Sequence, residues 1–374
     1  MPSALKVLVV GGGIGGMSTA ITLRQRGHEV ELIDLDPQWR VYGAGITITG
    51  ATFRAFSQLG ILDEVLAKAW GGPGIQVCDM QGRPLAVLPT PPVADADVPG
   101  TGGLMRPVLH AILSQRTLSL GTRVRLGLTV DALQETPQGT YVQFSDGSNG
   151  TFDLVVGADG LFSRVRQLLF PDAPAPEYTG QSVWRTVAPR ASGIDRRHFF
   201  LGGPVKVGLT PVSDTQMYMF LLETTQRRPP MDAMEQAARL RSLLAGYGGP
   251  LATIRESLDS HSDIVLRPLE AFVLPPPWHA GRTLLIGDAA HPTTPQLASG
   301  AGMAVEDALV LAQELDRAAD VASAFEGFMA RRHARCRLVV ENSLSIGRHE
   351  QQRAPVEQQT RIVEESLIAL ARPI

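Results

Sequence analysis

The sequence predicts an α/β protein. Its main part is a Rossmann-like nucleotide-binding domain, with an inserted, mostly antiparallel β-sheet domain and a C-terminal helical tail. Three observations carry this. The chain opens on an apolar run, Leu5 to Val10, that ends in Gly11-Gly12-Gly13-Ile14-Gly15-Gly16. Two later apolar runs also end in glycine, at Val155-Val156-Gly157-Ala158-Asp159-Gly160 and at Leu284-Leu285-Ile286-Gly287-Asp288. Continuous apolar runs of this length read as parallel strands buried on both faces. Between the second and third runs, from about Tyr178 to Leu269, the pattern changes to short alternating segments.

The elements follow in order. Leu5 to Val10 is the first strand and Met17 to Arg26 the first helix, closed by Gly27 past its C-terminus. Glu29 to Asp34 alternates as the second strand and completes a βαβ unit. Thr52 to Leu59 and Leu62 to Trp70 read as helices split by Gly60. Ile75 to Met80 and Leu85 to Leu88 flank Gln81-Gly82, a hairpin signal. Residues 89–103 are rich in Pro, Gly and Asp and read as a loop, and Arg106 to Arg116 as a helix. Tyr141 to Phe144 and Thr151 to Val156 flank the turn Asp146-Gly147. Ser163 is placed to cap a helix. Val183 to Val187, Val205 to Leu209 and Met217 to Leu222 read as strands, followed by a helix over Met231 to Leu244. Thr283 to Gly287 resumes the buried-strand pattern, Ala301 to Leu315 is helical, and so is the chain from Ala324. The expected division is 1–74, 101–177 and 270–345 for the nucleotide domain, 75–100 and 178–269 for the sheet domain, and 346–374 for the tail.

Composition narrows the function. The 34 Lys and Arg against 37 Asp and Glu leave a net charge of −3, which argues against nucleic acid and against a polybasic membrane contact. No apolar run approaches membrane-spanning length. Cys78 and Cys336 form no CxxC and no disulfide framework, so a reduced, cytoplasmic setting is expected. The histidines show no HExxH spacing and no cluster with cysteine, so no metal is expected.

The first glycine loop has the form Gly11-x-Gly13-x-x-Gly16. Gly11 permits the tight turn, Gly13 lets backbone approach a pyrophosphate, and Gly16 lets the helix pack on the strand. Ile14 and Gly15 start the helix whose free N–H groups face the phosphates. Asp34, at the end of the second strand, is placed to accept from a ribose diol. This unit alone says dinucleotide, without choosing between FAD and NAD. No second such loop occurs, so a nicotinamide cofactor would bind only transiently.

The three glycine-ended motifs together resemble the single-component FAD-dependent aromatic hydroxylases, the para-hydroxybenzoate hydroxylase-like family. The nearest look is to its urate and heteroaromatic hydroxylases. The resemblance spans residues 1 to about 345. It implies non-covalent FAD, NADH or NADPH as transient co-substrate, and transfer of one oxygen from dioxygen to a small aromatic or heteroaromatic ring through a flavin hydroperoxide. Asp288, in Gly287-Asp288-Ala289-Ala290-His291-Pro292, matches the aspartate that bonds the ribityl chain. Gly300, Ala301 and Gly302 open the helix aimed at the flavin ring. Arg106 matches a flavin-contacting arginine. Asp159, with Ser163, Arg164 and Arg166, matches a second fingerprint, and Val130 joins the implied cofactor contacts. The chain departs from the family at Ala298-Ser299-Gly300, where Gly-Gln-Gly is usual. A Cβ at Ala298 limits how closely backbone can approach the flavin.

In the sheet domain, Trp184, Arg185, Lys206 and Tyr218 stand out. Lys206 and Tyr218 lie on strands joined by a tight turn, where a cation and a phenol could hold an ionised ring as catalytic residues. Lys206 stands where a urate-type site would hold arginine, which weakens bidentate recognition of a planar anion. His291 reads as a packing residue near the cofactor. Two other readings stay open: a flavin oxidoreductase without oxygen insertion, and a non-catalytic FAD redox sensor.

Overall fold

The computed structural model describes residues 4–41 and 43–374. Strand Lys6–Val10 lies inside a six-stranded sheet, paired in parallel with Leu154–Gly157 on one side and Glu29–Asp34 on the other. Arg123–Leu126 extends one edge, and Thr283–Leu285 followed by His279–Ala280 the other. The three glycine-ended strands are therefore adjacent, and their carboxyl ends share one edge of the sheet. Val7, Leu8, Val9, Leu154, Val155, Val156, Leu284 and Leu285 are all fully buried, which is why these segments lack polar alternation. Helix Ile14–Gln25 packs on helix Gly300–Arg317, where a Cβ on Gly15 would stand 3.4 Å from that of Ala304.

A seven-stranded sheet is built around Glu177–Pro189, which pairs antiparallel with Gln216–Thr224 and Ile264–Ala271. Lys206–Pro211 and Arg197–Phe200 follow, and the distant hairpin Ile75–Cys78/Pro84–Leu88 completes it. Its two faces have different partners. Trp184, Leu209, Met219 and Leu221 pack with Leu240 and Leu251 of helices Ala233–Leu243 and Pro250–Ser257. Val183, Tyr218, Phe220 and Leu222 cluster with Ala44 of the nucleotide-binding half. Strand alternation thus turns one row of side chains toward helices and the next toward the other half.

Several details depart from the sequence reading, beginning with the helix expected over Leu62 to Trp70, which ends at Leu66. The strand expected over Thr151 to Val156 divides at Asp153. Asn149–Phe152 pairs antiparallel with Gly139–Phe144, while Leu154–Gly157 enters the parallel sheet. Asp153 secures the change of sheet by pairing its backbone N–H and its carboxylate with Lys6. The Pro/Gly-rich loop ends early, because Thr101–Met105 is a strand between Gly45–Thr49 and Trp70–Gly72. Its glycines are there for close approach: a Cβ at Gly103 would lie 2.3 Å from the Pro211 carbonyl oxygen. Finally, no break falls at residue 345. One helix runs Val321–Gln351, and Val356–Ala371 packs back beside it. Buried Arg54 holds that end by donating to the carbonyls of Leu370, Ala371 and Arg372.

Candidate active site

The glycine turn shows which glycines the protein itself requires. Gly11 has φ +106°, and a Cβ there would sit 2.4 Å from the Ala158 carbonyl oxygen. A Cβ on Gly16 would sit 1.8 Å from the Gly11 carbonyl oxygen. Gly13 differs: a Cβ there would meet nothing within 4 Å among the described residues. The space over Gly13 is open for a ligand. Asp34 folds back on the turn, accepting from Gly12 N–H at 2.6 Å and from Asp36 N–H at 2.8 Å. Trp39 Nε1 donates to the Gly12 carbonyl at 2.9 Å and closes the turn from outside.

A cavity of about 370 Å³ opens from this turn. One wall comes from the nucleotide-binding half: Gly13 to Gly15, Arg106, Asp288 and Ala298 to Ala301. The facing wall comes from the seven-stranded sheet: Arg185, Arg197, Tyr218, Phe220 and Leu269. Gly287, at φ +56°, turns the chain so that Asp288 opens onto the cavity. Surrounding protein raises the Asp288 carboxyl above the usual range, with His291 and Arg106 opposing and Asp307 adding to the rise. Helix Gly300–Arg317 begins at the cavity without a side-chain cap, leaving its first N–H groups for a ligand. Arg106 heads helix Arg106–Ser119 and has no carboxylate in ion-pair range among the described residues.

The structure brings Gly13, Ile14, Gly15, Arg106, Tyr218, Asp288, Gly300 and Ala301 to this cavity. Other expected residues stand apart from its lining. Gly11 and Gly16 shape the turn. Val130 is fully buried at the start of strand Val130–Thr136. The Asp159 carboxylate is occupied by Ser163 Oγ at 2.5 Å and by the N–H groups of Arg164 and Val165 at 2.7 and 3.0 Å. It builds the start of helix Arg164–Leu169, which Ser163 caps as expected. Gly302 serves packing, since a Cβ there would lie 2.3 Å from Thr52 Oγ1. Trp184 faces away, with Nε1 donating to Glu223 at 2.8 Å. Lys206 shares the Tyr218 face but lies four residues along it, by register, and its Nζ binds Glu350 Oε1 at 2.8 Å. The expected meeting of Lys206 with a substrate gives way to an ion pair, because helix Val321–Gln351 presents a carboxylate there.

Sequence reasoning missed Arg197, Phe220 and Leu269. The expected strands pass over the segment Arg196-Arg197-His198-Phe199-Phe200, yet Arg197–Phe200 is a strand. Alternation of Arg197 and Phe199 on one face was the available signal.

Behind the cavity, His291 Nε2 lies 2.7 Å from Asp307 Oδ2, and Arg332 Nε donates to Asp307 Oδ1 at 2.7 Å. Burial opposes charge on His291, but the adjoining Cys336 and the Asp307 carboxylate together raise its pKa well above the usual histidine value. Cys336 also converges here, and its thiol, His291 and Asp307 are close enough to share a metal ion. Arg332 already supplies the cation that Asp307 requires. His291 also packs on Trp278, with ring centroids 5.1 Å apart. Its role in this arrangement is to hold the turn Gly287–Ala290.

This geometry belongs to a flavoprotein: an open space over Gly13, an aspartate at the end of a second strand, and a helix start at one cavity. The chain belongs to the family described as FAD binding domain, whose model matches residues 4–343. It is 32% identical over 354 residues to the aurachin C monooxygenase/isomerase of Stigmatella aurantiaca, covering 93% of this chain and 90% of that one. It is 29% identical over 346 residues to the FAD-dependent urate hydroxylase of Klebsiella pneumoniae, covering 90% and 88%. The fold matches Klebsiella pneumoniae HpxO complexed with FAD and uric acid at TM-score 0.85 and 24% identity, over 98% of this chain and 96% of that one. The protein is an FAD-dependent monooxygenase of the aromatic-hydroxylase type. No helix among the described residues is long and apolar enough to cross a membrane.

Proposed function

We propose that this enzyme uses NADH or NADPH and dioxygen to hydroxylate a small aromatic or heteroaromatic compound held between the two walls of the cavity. The observation that supports this reading is the facing of the two walls. One offers the open glycine turn, Arg106, Asp288 and the uncapped helix start, and the other offers Tyr218, Phe220 and Leu269.

On this reading FAD lies along the first wall. The N–H groups of Gly13 to Gly15 receive its pyrophosphate, Asp34 its adenosine ribose, and Asp288 its ribityl hydroxyls. Gly300 and Ala301 meet the ring edge. When bound, FAD supplies the redox and oxygen chemistry. The protein binds, orients and dries the site. Tyr218, held by Arg185 Nε at 2.9 Å, orients the substrate ring by hydrogen bond or edge contact, with Phe220 packed beside it. Two buried free thiols suit a reducing, cytoplasmic setting.

The test is NAD(P)H oxidation by the purified yellow protein across phenols, hydroxypyridines and purines, with product mass. A substrate that stimulates oxidation and gains one oxygen supports the reading. Loss of hydrogen without oxygen gain, or no stimulation across the panel, overturns it.

A further inference from the structure

Arg197 has an environment that the reaction class does not explain. It is 6% exposed and lines the cavity. Among the described residues its guanidinium has no hydrogen-bond acceptor and no carboxylate, and its Nε is a buried donor without a partner. The Phe199 ring covers one face of the guanidinium at 4.5 Å, leaving its N–H edge for hydrogen bonding. Burial lowers its pKa to about 10, so it remains charged at neutral pH. A buried charge with no partner is costly and is ordinarily matched by an opposite charge.

Arg185 adds to this. Its Nε is committed to Tyr218, and no carboxylate pairs with it among the described residues. Among the described residues the cavity lining holds three arginines, Arg106, Arg185 and Arg197, against one acid, Asp288. Arg106 and Asp288 stand together on the flavin wall. Arg185 and Arg197 stand on the other, on either side of the Tyr218 strand in the sheet.

We infer that the substrate carries a carboxylate, which Arg197 receives through its guanidinium edge with Arg185 adding charge from the same wall. This rests on the aromatic-substrate reading above. A guanidinium presents paired donors in a rigid plane, the geometry a carboxylate accepts bidentately. The aromatic part then extends along Tyr218 and Phe220 toward the flavin wall. An acidic ring is selected over its neutral analogue because the analogue leaves Arg197 unpaired.

The experiment compares acid and amide pairs on the FAD-loaded enzyme: 4-hydroxybenzoate with 4-hydroxybenzamide, and 6-hydroxynicotinate with 6-hydroxynicotinamide. Binding is read by calorimetry and by perturbation of flavin absorbance, with no turnover required. At least one acid should bind roughly ten- to a hundredfold more tightly than its amide, the worth of one charge-assisted pair. Arg197→Met should abolish that preference, and Arg197→Lys should restore part of it. Arg185→Met should reduce it by about tenfold. If Arg197→Met fails to fold, the wild-type ratios and Arg185→Met decide. Equal binding of acid and amide, or binding of neither across both pairs, overturns the inference. An acid that binds selectively but gains no oxygen leaves the carboxylate site standing and counts against the hydroxylase reading. A neutral ring hydroxylated without acid preference does the reverse.

Discussion

Lys206 Nζ lies 2.8 Å from Glu350 Oε1, tying the seven-stranded sheet to the last turn of helix Val321–Gln351. The other oxygen, Glu350 Oε2, accepts from Gln181 and Gln296, each at 3.2 Å. One carboxylate thus joins two strands of the sheet to the short turn Pro295–Leu297 beside the cavity. Lys206→Met leaves Glu350 without its cation while Glu350 is only 8% exposed. The expected loss is about 1–3 kcal/mol in urea unfolding, with FAD content unchanged. Adding Glu350→Gln should cost less than the sum of the single changes, which a double-mutant cycle reads directly. Full additivity would show the pair to be uncoupled.

Gly13 and Gly16 separate ligand space from protein space. Gly13→Val should fold with normal stability as apoprotein, since no protein atom stands near its Cβ, yet lose FAD affinity by more than about a hundredfold (~3 kcal/mol). Gly16→Ala should disrupt the turn itself, with its Cβ 1.8 Å from a carbonyl oxygen. Thermal melts and FAD titration of both apoproteins check this.

Asp288→Asn should weaken FAD binding by roughly ten- to a hundredfold, the loss of one charge-assisted hydrogen bond. It should also stabilise the apoprotein at neutral pH. The folded pKa of Asp288 is raised, so its ionised form costs stability above that pKa. The cost disappears as pH falls below the unfolded value, about 3.9. The stability difference between wild type and Asp288→Asn should therefore shrink on acidification. A difference that grows as pH falls would contradict the direction.

Ala298 has φ +51°, in the left-handed region, where an L-residue bears about 1–2 kcal/mol of strain. Ala298→Gly relieves it but gains chain entropy when unfolded, so the net stabilisation should be about 0.5–1 kcal/mol. It should also raise FAD affinity, because backbone at this turn borders the cavity. Urea unfolding and FAD titration of the variant check both effects.

His291 and Asp307 form a buried pair. His291→Asn should cost about 1–3 kcal/mol, the loss of one charge-assisted hydrogen bond, since Arg332 still pairs Asp307. The folded pKa of His291 is raised, so its contribution is complete below about 6.5 and is lost as pH rises through the folded value. Wild type should lose its advantage over the variant at alkaline pH, as measured by urea unfolding across pH.

The nucleotide-binding half was readable in the residues because its requirements are local. A strand buried on both faces must be uniformly apolar, and a turn that meets a neighbouring carbonyl must be glycine. Gly11, Gly16 and the three glycine-ended strands follow from those constraints alone. So does Ser163, whose capping role depends on residues three and four positions away.

Tertiary structure decided the rest. Lys206 and Arg197 are both cations on one sheet face, and sequence favours Lys206. Among the described residues, the chain places Glu350, 144 residues distant, against Lys206 and no carboxylate against Arg197. Which cation is paired and which is left free depends on contacts made only when a helix and a sheet pack together. Periodicity reports the face a residue occupies, but not the charge of what the fold sets opposite it.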